Sequence, residues 1–85
     1  MPHPSDRRGF TPAQQEVITV IQAGTQPGTP YAGTAKSIER AIGAGITLKQ
    51  VENALRGLEA SACLTKSWNP DRYVWNFTLS GEAAK

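Results

Sequence analysis

In the stretch ITLKQVENALRGLEASA, Ile46 to Ala62, the apolar residues Leu48, Val51, Leu55, Leu58 and Ala62 recur at three- and four-residue spacing. That period puts a single apolar stripe along a helix. Thr47 stands where an N-cap belongs, and Gln50 follows three residues later, the pattern of a capping box. Ile46 before the cap and Val51 one turn into the helix are placed to staple together. At ~100° per residue, the side farthest from the stripe holds Lys49, Gln50, Asn53, Arg56, Gly57 and Ala60. Glu52 and Glu59 fall on one flank.

Two shorter helical patterns precede this one. Thr11-Pro12 with Gln14 is a second capping box, with proline at the first helical position. Val17, Val20 and Ile21, with Ala13 and Ile18, give that helix its buried side, and Gly24 is expected to close it in a left-handed conformation. Gly24 to Gly33, GTQPGTPYAG, reads as a connector with no clear strand, pinned by Tyr31. Its glycines lack the spacing of a phosphate-binding P-loop. Thr34 caps a helix running to about Ile42, with Ala35, Ile38, Ala41 and Ile42 inward. Gly43-Ala44-Gly45 then makes a turn, and two helices joined by a short glycine-containing turn form a helix-turn-helix pattern.

After Ala62 the period drops to two. Cys63 to Ser67 reads as a strand and Trp68-Asn69-Pro70-Asp71 as a turn. Arg72 to Leu79 reads as a second strand with Tyr73, Trp75, Phe77 and Leu79 on one face. The predicted class is α+β: three helices followed by a two-stranded hairpin. Residues 1–9 are expected to be a loose arm, residues 10–82 the folded domain, and residues 83–85 a tail.

Composition narrows the function. With 85 residues, 39% apolar and 19% charged, the chain suits one small soluble domain. No apolar run approaches the ~20 residues of a membrane span, and MPHPSDRRGF has no apolar segment behind its arginines. The expected location is the cytoplasm, with no membrane partner. One cysteine, Cys63, and one histidine, His3, leave neither a disulfide nor a metal set, and no cofactor is expected. As a nucleophile and base the two are poorly placed, and no paired carboxylates appear, so catalysis is not expected. The net charge of +2 permits nucleic-acid binding without requiring it.

The segment SIERAIGAGITLKQVENALRGLEASACLTK resembles the helix-turn-helix of winged-helix DNA-binding domains. Ile38, Ala41 and Ile42 match the apolar positions before the turn. Val51, Leu55 and Leu58-Glu59 match the recognition helix, and FTLSGEAAK resembles the strand ending of many bacterial members. The resemblance covers about residues 10–82 and specifies a fold rather than one family. It departs from the pattern at Ala62, where a glycine is usual, at the missing first strand, and at a short wing where Asp71 adjoins Arg72.

The resemblance implies a double-stranded DNA partner. Lys49, Gln50, Asn53 and Arg56 would face the major groove, where Lys and Arg suit phosphate or guanine and Asn and Gln suit adenine. Thr34, Lys36 and Ser37 would meet phosphate at a helix N-terminus. Lys66, Trp68 and Arg72 would lie on the wing near the DNA backbone, with Trp68 equally readable as an edge aromatic. Read from the residues alone, Arg7 and Arg8 in the arm belong first to a solubilising tail, with contact to phosphate or a minor groove as the alternative. Tyr73, Trp75 and Phe77 read as core. A single module contacts only about 600–1,000 Å², which favours a homodimer built through the first helix or the arm. The expected role is a sequence-specific transcriptional regulator, or a phage or plasmid recombination or replication accessory. The alternative is a winged helix used for protein–protein contact, its basic residues merely solvated.

Overall fold

The computed structural model of the chain describes residues 9–84. The expected arm with His3, Arg7 and Arg8 lies outside them except for Gly9, as does Lys85. Three helices, α1 (Pro12–Gly24), α2 (Ala35–Ile42) and α3 (Leu48–Ala60), combine with strands β1 (Tyr31–Gly33), β2 (Leu64–Asn69) and β3 (Val74–Leu79). A 3₁₀ turn, Gly81–Ala84, follows.

Each helix starts at a threonine whose hydroxyl accepts from the third helical N–H, which satisfies a donor that has no partner inside the helix. Gln14 and Gln50 return the bond to their caps at 2.9 and 2.8 Å. In α2 the box closes through a hydroxyl: Thr34 N–H donates to Ser37 Oγ at 2.9 Å. Gly43 and Gly45 both have positive φ in the turn between α2 and α3, where a side chain would be strained.

The sheet contains the predicted two-stranded hairpin, as β2 and β3, and adds a third strand to it. It has three antiparallel strands in the order β1-β3-β2, with Tyr31 opposite Phe77 and Gly33 opposite Trp75. The connector thus contains a strand after all. Its anchor is Tyr31, as expected, whose ring lies 6.1 Å from that of Phe77 and whose hydroxyl is 3.3 Å from Ser37 Oγ. Two glycines make room for that ring. A Cβ on Gly24 would strike it, and a Cβ on Gly33 would come within 2.9 Å of it and 2.5 Å of Ser37 Oγ. Gly24 is therefore a close-approach residue within α1, and the expected left-handed ending there is replaced by an extended Thr25 cap.

The exit of α3 also differs from the reading. Ala62 does not extend the apolar stripe; it is exposed and sits at φ 61° just past the helix. Its N–H donates to Glu59 O at 3.1 Å, and Cys63 N–H donates to Leu58 O at 2.9 Å. This is the Schellman ending, in which the left-handed residue is usually glycine.

The core joins Val17, Ile18 and Ile21 of α1 to Ile38 of α2 and to Val51, Ala54, Leu55 and Leu58 of α3. Leu64 and Phe77 bring in the sheet. Ile18 is fully buried whereas Val20 is only partly so, and Ala54, absent from the predicted stripe, is buried. The chain also stays folded beyond Glu82. Ala83 is fully buried, its carbonyl accepts from Gln22 Nε2 at 3.2 Å, and Ser80 Oγ donates to Ala62 O at 2.8 Å.

Candidate nucleic-acid interface

Burying Val51, Ala54, Leu55 and Leu58 fixes the rotation of α3. The exposed residues of α3 are then Lys49, Gln50, Glu52, Asn53, Arg56 and Ala60; Lys49, Asn53, Arg56 and Ala60 line up as one strip, with the exposed Glu52 along its edge. No acid lies within it. Arg56 Nη1 donates to Asn53 Oδ1 at 3.4 Å, which keeps the two polar ends side by side. The arrangement offers a cationic group, a carboxamide and a second cationic group along about two turns, at positions where a small Ala60 allows close approach.

The other two residues assigned to that side turn toward α1. Gly57 lies beneath Gln14, whose Nε2 would be 2.5 Å from a Cβ there. Gln50, itself exposed, shares a shallow cleft with Thr11, Ala13 and Gln14, whose edge Asn53 also lines, and its Oε1 is held by the Thr47 N–H. A carboxamide reads adenine with both of its ends, so the Gln50 acceptor would have to leave the cap to do so.

On the opposite flank, Glu52 and Glu59 line a groove of about 520 Å³ between α3 and the sheet, together with Arg56, Lys66 and Trp75. Lys66 is doubly engaged, 3.4 Å from Glu59 Oε1 and 4.5 Å from the centre of the Trp75 ring. Such an exposed pair contributes little stability, but it lowers the positive charge that the wing presents.

At the start of α2, Lys36 is exposed, while Thr34 and Ser37 are half-buried. Ser37 Oγ donates to Thr34 O at 2.8 Å and accepts from Thr34 N–H, so its hydroxyl is occupied within the cap.

The hairpin turn is displaced from its predicted place. Trp68 belongs to β2, directly opposite Trp75, and the turn is Pro70 to Tyr73, which includes Arg72. Asp71 N–H donates to Asn69 Oδ1 at 3.1 Å, an Asx turn that sets the bend. Tyr73 takes φ 55°, which breaks the alternation before β3 begins. It is therefore not a core residue: it is 77% exposed, against 2% for Phe77. Trp75 is half-buried and Trp68 is 47% exposed. The sequence signal that identifies the shift is Asn69-Pro70-Asp71; the turn begins at Pro70, two residues later than predicted.

Among the described residues no helix is long and apolar enough to cross a membrane. Among the same residues no three His, Cys, Asp or Glu side chains come together as a metal site would require.

No protein-family model and no curated protein matches the sequence. The structure is similar to a solved one described as the complex structure of hsRosR-S4, with a TM-score of 0.68 at 21% identity over 94% of this chain. The chain spans 66% of that neighbour's length. At this identity the likeness concerns the fold, and with the topology above it establishes an α+β winged-helix arrangement, three helices with a three-stranded antiparallel sheet.

Proposed function

We propose that this chain is a small sequence-specific double-stranded-DNA-binding protein, a regulator of transcription or an accessory of phage or plasmid recombination or replication. The observation that carries the reading is the acid-free strip Lys49–Asn53–Arg56 on the exposed face of α3 in a winged-helix fold. In this mechanism α3 enters the major groove. Lys49 and Arg56 meet phosphate or guanine and Asn53 pairs with adenine, each well-formed bidentate contact discriminating by about 1–3 kcal/mol. Lys36 and the first-turn N–H groups of α2 hold phosphate and set the register. Gln50 contributes only after releasing its cap bond. Arg72 adds a weak backbone contact because Asp71 adjoins it. The protein acts in the cytoplasm, performs no catalysis, and binds paired half-sites as a homodimer, since one module has limited specificity.

The test is fluorescence anisotropy with a labelled random duplex at low salt. The reading expects micromolar binding that weakens as salt rises. No binding at tens of micromolar protein would contradict it. The second reading, protein contact without DNA, is favoured by the Glu59–Lys66 pair and by Asp71, which leave the wing nearly neutral. It expects a protein partner captured by crosslinking and no duplex binding.

A further inference from the structure

We propose that the wing tip is a stacking site for an unpaired base, so that the preferred ligand is a duplex opening into single strand rather than a blunt one. This rests on the DNA-binding reading above. Trp68 and Tyr73 are the large apolar residues left exposed among those described. They form one cluster with Trp75: the Trp68 ring is 5.1 Å from Trp75 at 67° and 6.5 Å from Tyr73 at 69°. Tyr73 keeps its ring there in a left-handed backbone conformation that glycine would adopt without strain. A position that tolerates strain to display an aromatic ring is a candidate for function.

Charge decides what such rings would take. Lys66 is already paired with Glu59, Arg72 stands beside Asp71, and Glu52 and Glu59 line the groove leading to the rings. Phosphate is poorly served here, whereas the neutral face of a base is well served, and aromatic stacking accepts any base. Position supports the same occupant. Lys66, Trp68 and Trp75 share the sheet face that carries Phe77 into the core, and Arg56 of α3 lines the same groove as Trp75. DNA held on the α3 strip would therefore run toward the rings. Within an intact duplex the base faces are covered by their neighbours, so the rings reach them only where the strands part.

Both tryptophans of the chain lie in this cluster, so tryptophan fluorescence, excited selectively over tyrosine, reports on the wing alone. The full chain is titrated with one short duplex, either blunt or carrying a single-stranded oligo(dT) overhang. We expect the overhang to bind at least about fivefold more tightly, the lower end of one stacked base, with quenching that the blunt duplex does not produce. Trp68→Ala and Tyr73→Gly should each erase that difference, and Tyr73→Gly, at a residue with no part in duplex binding, should leave blunt-duplex affinity unchanged. Tyr73→Gly should also raise Tm by relieving the backbone, which separates loss of the ring from loss of the fold. Equal affinity and no quenching with the overhang overturn the proposal while leaving the DNA reading intact; binding to neither ligand overturns both. Variants that alter sedimentation of the free protein but keep the overhang preference assign the rings to contact between copies and also overturn it.

Discussion

The exposed strip of α3 and the wing flank the same groove, yet they are built from opposite chemistry. The strip offers Lys49, Asn53 and Arg56, long polar groups on a helix rotated into place by Val51, Leu55 and Leu58. The wing offers Trp68, Tyr73 and Trp75, with its cations largely offset by Glu59 and Asp71. In a winged helix with a basic wing, both elements would draw on phosphate. Here the helix is the electrostatic element and the wing is the apolar one, so the two should respond differently to salt, to DNA form and to mutation.

The largest effect should come from the residue that ties the two regions together. Phe77 is 2% exposed, packs on Tyr31 and carries β3 into the helical core. Phe77→Ala should cost about 3–5 kcal/mol, a large share of what a chain of this size holds at roughly 0.05–0.15 kcal/mol per residue. Urea denaturation would check it. A change below about 1 kcal/mol would mean that the wing is not anchored as described.

Asn53→Ala should weaken binding to a selected duplex by roughly five- to 150-fold, about 1–3 kcal/mol for a lost adenine contact. It should also relax sequence preference at one position, as judged by selection from random duplex. Equal loss on every sequence would place Asn53 at phosphate instead.

A smaller effect of opposite sign is expected at the junction of helix and wing. Ala62 occupies a left-handed position at φ 61°, so Ala62→Gly should raise stability by up to about 1 kcal/mol. Thermal melting with an unchanged or lowered Tm would count against the described helix ending.

These contrasts also explain what was legible in the chain. The three helices, their threonine caps and the inward face of α3 depend on neighbours within one turn, and local spacing records them. Strand β1 was not legible because Tyr31-Ala32-Gly33 is too short to show a period and its partner, Phe77, lies far along the sequence. Strand alternation places Tyr73 in the core, and it fails there because the backbone turns left-handed. Helical periodicity fails at Ala62 for the same reason, whereas the winged-helix resemblance, with glycine usual there, does mark the position. Gln50 and Gly57 needed the placement of α1, which decides which edge of the outer face is covered. The polar strip was therefore readable apart from one edge, whereas the aromatic cluster emerged only from the strand register.

The most direct measurement is the salt dependence of duplex affinity for the unaltered chain and for the Lys49→Ala/Arg56→Ala double variant, with Tm recorded for both. If α3 presents these groups to DNA, the double variant should bind at least about tenfold more weakly and its log–log salt slope should fall by about two, one for each lost phosphate contact. Its Tm should stay within a few degrees, because both side chains are exposed. An unchanged affinity and slope, with the fold intact, would contradict the assignment of α3 as the DNA-reading element.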